Sequence, residues 1–111
     1  MLEIYTDGSY NPITSVGGWA ALIIEDSVKG IAKSYSGSIP DSTNQRAEIT
    51  AALQGLSKVP DDCEVIIYTD SQYLFGCMTK GWNRRANLDL WKLLDVVASD
   101  LRGFVMGVYK K

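Results

Sequence analysis

No histidine occurs among the 111 residues. Serine and cysteine triads that use an imidazole base are therefore excluded, and a zinc site of the usual kind loses its commonest nitrogen ligand. Cysteine is nearly as scarce. Cys63 stands at the start of an apolar run and Cys77 inside an expected helix, neither in a C-x-x-C pair, so both read as plain buried thiols. An excess of positive charge is missing too. Eleven Lys and Arg against thirteen Asp and Glu leave a net charge of −2, which argues against holding a polyanion through overall charge. No apolar run approaches the roughly eighteen residues of a membrane span. Met1-Leu2-Glu3-Ile4 carries no basic stretch ahead of an apolar one, so no leader is expected and the cytoplasm is the default address. Whatever catalysis the chain performs must rest on carboxylates.

What is present belongs to an ordinary folded protein. With 46% hydrophobic and 22% charged residues, the chain lies far from the disordered class. Its length predicts one compact domain over residues 1–111, able to bury about 60 to 70% of the unfolded surface. Residues 2–9 alternate as a strand and end in a turn-rich stretch around Asn11-Pro12. Gly17-Gly18 opens a second apolar run over 19–24, and 29–37 alternates again, which predicts an antiparallel three-strand meander. Helix-starting residues at 40–43 precede Ile49, Ala52, Leu53 and Leu56 at helical spacing up to Pro60. Residues 64–69 read as a buried strand and 71–80 as a second helix. A third helix opens at Asp89, with Leu90, Leu93, Leu94, Val97 and Leu101 on one face, and Gly103 closes it before a last strand over 104–109. The order βββαβααβ predicts a mixed α/β sheet whose later strands run parallel to the first.

One internal match points to chemistry. Ile4-Tyr5-Thr6-Asp7 returns as Ile67-Tyr68-Thr69-Asp70, each at the end of an expected strand. If these strands are parallel neighbours in equal register, Asp7 and Asp70 share one sheet edge on strands about 4.8 Å apart. Two carboxylates that close repel unless they share a proton or a cation, and hard oxygen ligands favour Mg²⁺ or Mn²⁺. Asn44 and Glu48 stand four residues apart on one helix face, so an amide and a third carboxylate can point at the same spot. Taken singly, each residue has a structural alternative. Asp7-Gly8 would serve as a turn, Asp70 or Ser71 as a helix cap, and Glu48 as half of a surface salt bridge with Arg46. Lys80, Arg84 and Arg85 gather around Trp82, either as a solvated loop or as a phosphate contact.

These residues sit in five ordered blocks: Tyr5-Thr6-Asp7-Gly8-Ser9, Gly17-Gly18-Trp19-Ala20, Thr43-Asn44-Gln45-Arg46-Ala47-Glu48, Tyr68-Thr69-Asp70-Ser71-Gln72-Tyr73 and Asn87-Leu88-Asp89-Leu90-Trp91. Together they resemble ribonuclease H of type I over nearly the whole chain. The resemblance implies a five-stranded mixed sheet of order 3-2-1-4-5, with strand 2 antiparallel and helices mainly on one face. It implies two-metal hydrolysis of the RNA strand in an RNA/DNA hybrid, with Asp7, Glu48 and Asp70 as Mg²⁺ ligands, Mn²⁺ being an alternative ion. Asn44, Gln45 and Gln72 then touch the hybrid's minor groove, where the 2′-hydroxyl marks RNA. Thr43 and Asn87, helped by Asn11, match phosphate-binding positions. A cap, a loop residue and a solvated helix side chain remain the alternatives for Thr43, Asn87 and Gln72.

Two departures from the family pattern carry expectations of their own. Residues 80–87 are too short for the basic helical handle of many members, leaving Lys80, Trp82, Arg84 and Arg85 to substitute for it. The final helix, with its fourth acid, and the histidine-bearing loop before it are absent, and Asp95 and Asp100 have no reason to reach the metal site. Without that helix one sheet face is left bare, so a second copy of the chain or another polypeptide is expected to cover it. The alternative to an enzyme is a non-catalytic or incomplete module that binds nucleic acid.

Overall fold

Buried Ile4, Thr6 and Gly8 alternate with the more open Tyr5, Asp7 and Ser9, so the first strand turns one set of side chains to a helical layer and the other away from it. The structure, a computed structural model, describes residues 2–26 and 28–109. Strands β1 (Leu2–Asn11), β2 (Val16–Asp26) and β3 (Ile31–Ile39) form the meander. Helix α1 (Asn44–Ser57), β4 (Glu64–Thr69), α2 (Gln72–Thr79), α3 (Leu88–Ser99) and β5 (Gly103–Val108) follow. The sheet order is β3-β2-β1-β4-β5, with β2 antiparallel to both neighbours and β4 parallel to β1 and β5. Ile4 pairs with Ile67 and Tyr5 with Tyr68, which is the equal register expected from the repeated tetrapeptide. Among the described residues, no helix is long and apolar enough to cross a membrane.

Side chains on the turns hold the helix starts. Thr43, in extended backbone, accepts the Arg46 N–H at 3.1 Å, and Ser71 accepts the Leu74 N–H at 3.0 Å. The core lies between one sheet face and the helices. Ile4, Ala21, Ile23, Val65, Ile67 and Met106 of the sheet meet Ile49, Ala52, Leu56, Leu74, Cys77, Trp91 and Leu94 of the helices.

Several boundaries differ from those expected. β1 and β2 run to Asn11 and from Val16 because the antiparallel ladder extends to the pair Asn11–Val16. Gly103 does not stop α3 but begins β5, pairing with Glu64. The helix α3 starts one residue early, capped by Asn87 in left-handed backbone at φ 60°, and Asp89 is turned to a partner on α1. Its buried stripe is also rotated. Trp91 and Leu94 are in the core while Leu93 is 54% exposed, because the bulkier indole takes the position facing Tyr73. Cys63 is only half-buried.

On the other sheet face Tyr5 and Tyr68 stack with ring centroids 4.7 Å apart, and Leu22 and Val105 are exposed. No helix among the described residues covers this face.

The rotated stripe of α3 gives the first test. Trp91→Ala is expected to destabilise the fold by about 3 to 5 kcal/mol and Leu93→Ala by less than about 0.5 kcal/mol. Urea unfolding midpoints measure both, and equal losses would return Leu93 to the core.

Candidate metal centre and nucleic-acid interface

Three elements bring three acids together. Asp7 comes from β1, Asp70 from the end of β4, and Glu48 from the second turn of α1. One carboxylate oxygen from each lies within 4.8 Å of the others. Glu48 is 6% exposed and accepts the Gly8 N–H through Oε1 at 3.2 Å. The surface salt bridge with Arg46 is therefore not formed, since burial directs Glu48 to the sheet while Arg46 points to α3. Nor is Asp7-Gly8 a turn, for both residues lie inside β1.

Gly8 explains how the helix comes so near. A Cβ built there would stand 2.5 Å from the Glu48 backbone nitrogen and 2.6 Å from the Ala47 carbonyl carbon. Only hydrogen fits between strand and helix, so a residue without a side chain sets the distance at which Glu48 meets Asp7. The backbone before Asp7 is tied down twice. Thr6 Oγ1 donates to the Tyr68 carbonyl at 3.2 Å, and the Tyr109 hydroxyl donates to the Thr6 carbonyl at 2.6 Å.

Beside the acids opens a cleft of about 370 Å³, lined by Gly8, Asn44, Gln45, Glu48, Asp70, Ser71, Gln72 and Tyr73. Asn44, Gln45 and Gln72 thus share one opening with two of the three carboxylates. Asp7 lies on the wall of a second, more apolar opening toward the bare face, with Tyr5, Leu22 and Tyr109.

The remaining candidates are dispersed. Asn11 closes the β1–β2 turn, where its Oδ1 accepts the Ile13 N–H at 2.9 Å. Asn87 Oδ1 accepts from Arg46 Nη1 at 3.0 Å. In the segment replacing a handle, Lys80 Nζ lies 5.9 Å from the Trp82 ring, and that ring rests on Gly76. Arg85 is exposed. Arg84 departs from expectation, because it bonds Asp95 at 2.6 Å and the Cys77 carbonyl at 3.2 Å while its guanidinium covers the Trp91 ring at 4.5 Å. These contacts hold the segment to α3 and take Arg84 away from any external phosphate.

Sequence reasoning missed the roles of Gly8, Arg46 and Tyr109. The first had a signal in a glycine placed within an alternating strand. The paired guanidinium had none, since 43 positions separate Arg46 from Asp89.

The family model for RNase H matches residues 1–105. Ribonuclease H from Chlorobium phaeobacteroides is 39% identical over 107 residues, spanning 84% of this chain and 71% of that one. Ribonuclease H from Granulibacter bethesdensis is 39% identical over 112 residues, spanning 88% and 73%. Among solved structures, the N-terminal RNase H domain of a Mycobacterium tuberculosis protein superposes with a TM-score of 0.87 at 20% identity, over 99% of this chain and 82% of the other. A mixed sheet of this order with three converging acids defines a ribonuclease H-like fold. The chain belongs to the ribonuclease H family.

Gly8→Ala should separate α1 from β1. A loss of about 1 to 3 kcal/mol is expected from the overpacked contact, with any divalent-metal affinity measured by isothermal titration weakened. A variant with unchanged stability and metal affinity would show that the helix position does not depend on this glycine.

Proposed function

We propose that the chain is a single ribonuclease H domain over residues 1–111 that hydrolyses the RNA strand of RNA/DNA hybrids with Mg²⁺, or Mn²⁺, held by Asp7, Glu48 and Asp70. The observation that carries the reading is the approach of three carboxylate oxygens to within 4.8 Å. Three anionic groups that close repel strongly unless a cation lies among them. Their donor set is all hard oxygen, which suits Mg²⁺ and Mn²⁺ and disfavours soft metals. A pair of such ions, when bound, supplies activation of the attacking water and stabilisation of the leaving oxygen.

The chain's own residues do the rest. Glu48, fixed by the Gly8 N–H, keeps one oxygen on the site without a rotamer search. Asn44, Gln45 and Gln72 present side-chain amides, which both donate and accept, and so suit a 2′-hydroxyl that does the same. Thr43 and Asn87 receive a phosphate, and Asn11 lies farther along the same strand from Asp7. Lys80, Trp82 and Arg85 offer cations and an exposed ring at the outer edge. Arg84 supports that edge from within.

A second reading, a module that binds hybrid but does not cut it unless another chain completes the site, is favoured by one observation. No fourth acid joins the cluster among the described residues, and Asp95 is bonded to Arg84 instead. Incubation of a labelled hybrid with Mg²⁺ or Mn²⁺ separates the two. Cleavage that disappears in Asp7→Asn and Asp70→Asn supports the enzyme, whereas binding without cleavage supports the module. Asp70→Asn should leave the metal-free melting temperature unchanged or slightly raised, since one repelling charge is removed. A sharp fall would identify Asp70 as a structural residue.

The bare face is read as a contact with a second copy of the chain. Tyr5, Leu22, Tyr68 and Val105 form an apolar surface, and two such faces are self-complementary about a two-fold axis. Sedimentation velocity should show concentration-dependent association that Leu22→Lys weakens. A monomer at every concentration would leave the face to another polypeptide or to none.

A further inference from the structure

Arg46 invites the role of a phosphate ligand, being a cation in the first turn of the helix that carries Asn44, Gln45 and Glu48. Its contacts contradict that role. Nη1 and Nη2 donate to the two carboxylate oxygens of Asp89 at 3.1 and 3.0 Å, and Nη1 also donates to Asn87 Oδ1 at 3.0 Å. The hydrogen bond from Arg46 holds the Asp89 carboxyl below its ordinary value, so the pair stays ionised near neutrality. The positive charge is thereby used inside the chain.

The same residue reaches Thr43 from its backbone, whose N–H donates to Thr43 Oγ1 at 3.1 Å. Arg46 thus occupies an acceptor on each of the two residues assigned to phosphate. A guanidinium has five donors and no acceptor. Only the oxygen of the Asn87 amide can face it, which turns Nδ2 and its two N–H bonds the other way. On Thr43 the lone pair is engaged and the hydroxyl hydrogen stays available. Asn87 makes no side-chain bond to its own helix, although its carbonyl accepts the Leu90 and Trp91 N–H groups, so the amide orientation depends on Arg46.

We infer that Arg46 is a positioning residue: its side chain spends its charge on Asp89 and orients Asn87, while its backbone N–H engages the Thr43 hydroxyl oxygen, so that both residues present donors to one backbone phosphate of the hybrid. The inference rests on the hybrid-binding reading above and adds to it the polarity of the two groups. It also removes Arg46 from the direct phosphate contacts.

The test compares wild type with Arg46→Ala, Arg46→Lys, Asn87→Ala and the double Arg46→Ala/Asn87→Ala variant, each checked for folding by circular dichroism. Arg46→Ala and Asn87→Ala are each expected to raise KM for a labelled hybrid by about five- to tenfold, with kcat within about twofold. The double variant should be no worse than Asn87→Ala, because both changes remove the same contact. Arg46→Lys, with a single point of attachment, should fall between wild type and Arg46→Ala. Multiplying effects in the double variant, or a salt dependence of binding reduced by about one counterion in Arg46→Ala, would instead make Arg46 a phosphate ligand.

The second readout is the Asn87 side-chain amide resonance, followed by NMR as hybrid is added in Ca²⁺. It should shift in wild type and not in Arg46→Ala. A shift in a protein that cleaves nothing supports the positioning role while the catalytic reading fails. An unmoved resonance in an active enzyme overturns the positioning role alone.

Discussion

The structure depends on one close approach, the passage of the β1 backbone beneath α1 at Gly8. With a Cβ only 2.5 Å from the helix backbone, no other residue fits without moving one element. That approach sets the depth of Glu48, lets the Gly8 N–H bind its carboxylate, and brings three acids from three elements to a single point. The parallel register of β1 and β4 supplies the other two acids, and the Thr6 hydroxyl fastens these strands to each other just past their last pair, Tyr5 with Tyr68, where β4 is about to end. Gathering negative charge costs free energy. The cost is borne by a core in which Ile4, Ile67, Ile49 and Leu56 are almost fully enclosed.

Much of this was legible along the chain, and the reasons are physical. A strand repeats every two residues and a helix every three to four, so element types followed from apolar spacing. The recurrence of Ile-Tyr-Thr-Asp carried the register, although only β4 ends there, since β1 continues past Asp7 to Asn11 in its ladder with β2. What could not be read was decided by competition between side chains far apart in sequence. Asp89 looks like a first-turn acid suited to the helix dipole, yet the pull of Arg46 from another helix determines where it points. Leu93 and Trp91 are two residues apart on α3, and apolar spacing alone admits either to a buried stripe. The larger ring fills the space against Tyr73, and Leu93 is left in solvent. Arg84 looked like a free cation because its partners, Asp95 and the Cys77 carbonyl, become neighbours only after α2 and α3 have packed.

The distribution of these cations bears on how an acidic chain holds an acidic polymer. With a net charge of −2, the molecule has no long-range attraction to offer, and two of the arginines beside the proposed interface, Arg46 and Arg84, are bonded to Asp89 and Asp95. On the proposed function, counterion release by protein cations, the main source of affinity for many nucleic-acid binders, is then limited to what Lys80 and Arg85 supply. On the function proposed above, recognition falls mainly to neutral donors and acceptors on the Asn44, Gln45 and Gln72 amides, and to cations brought to the three acids from solution, with Lys80 and Arg85 adding charge at the outer edge. A metal at that site would contribute twice, by cancelling the repulsion among the carboxylates and by reversing the sign of the field met by an approaching phosphate. Binding and chemistry then share one ionic requirement. On the proposed function, such an arrangement would attach the domain to its substrate chiefly where it can also cut, and only weakly to nucleic acid at large.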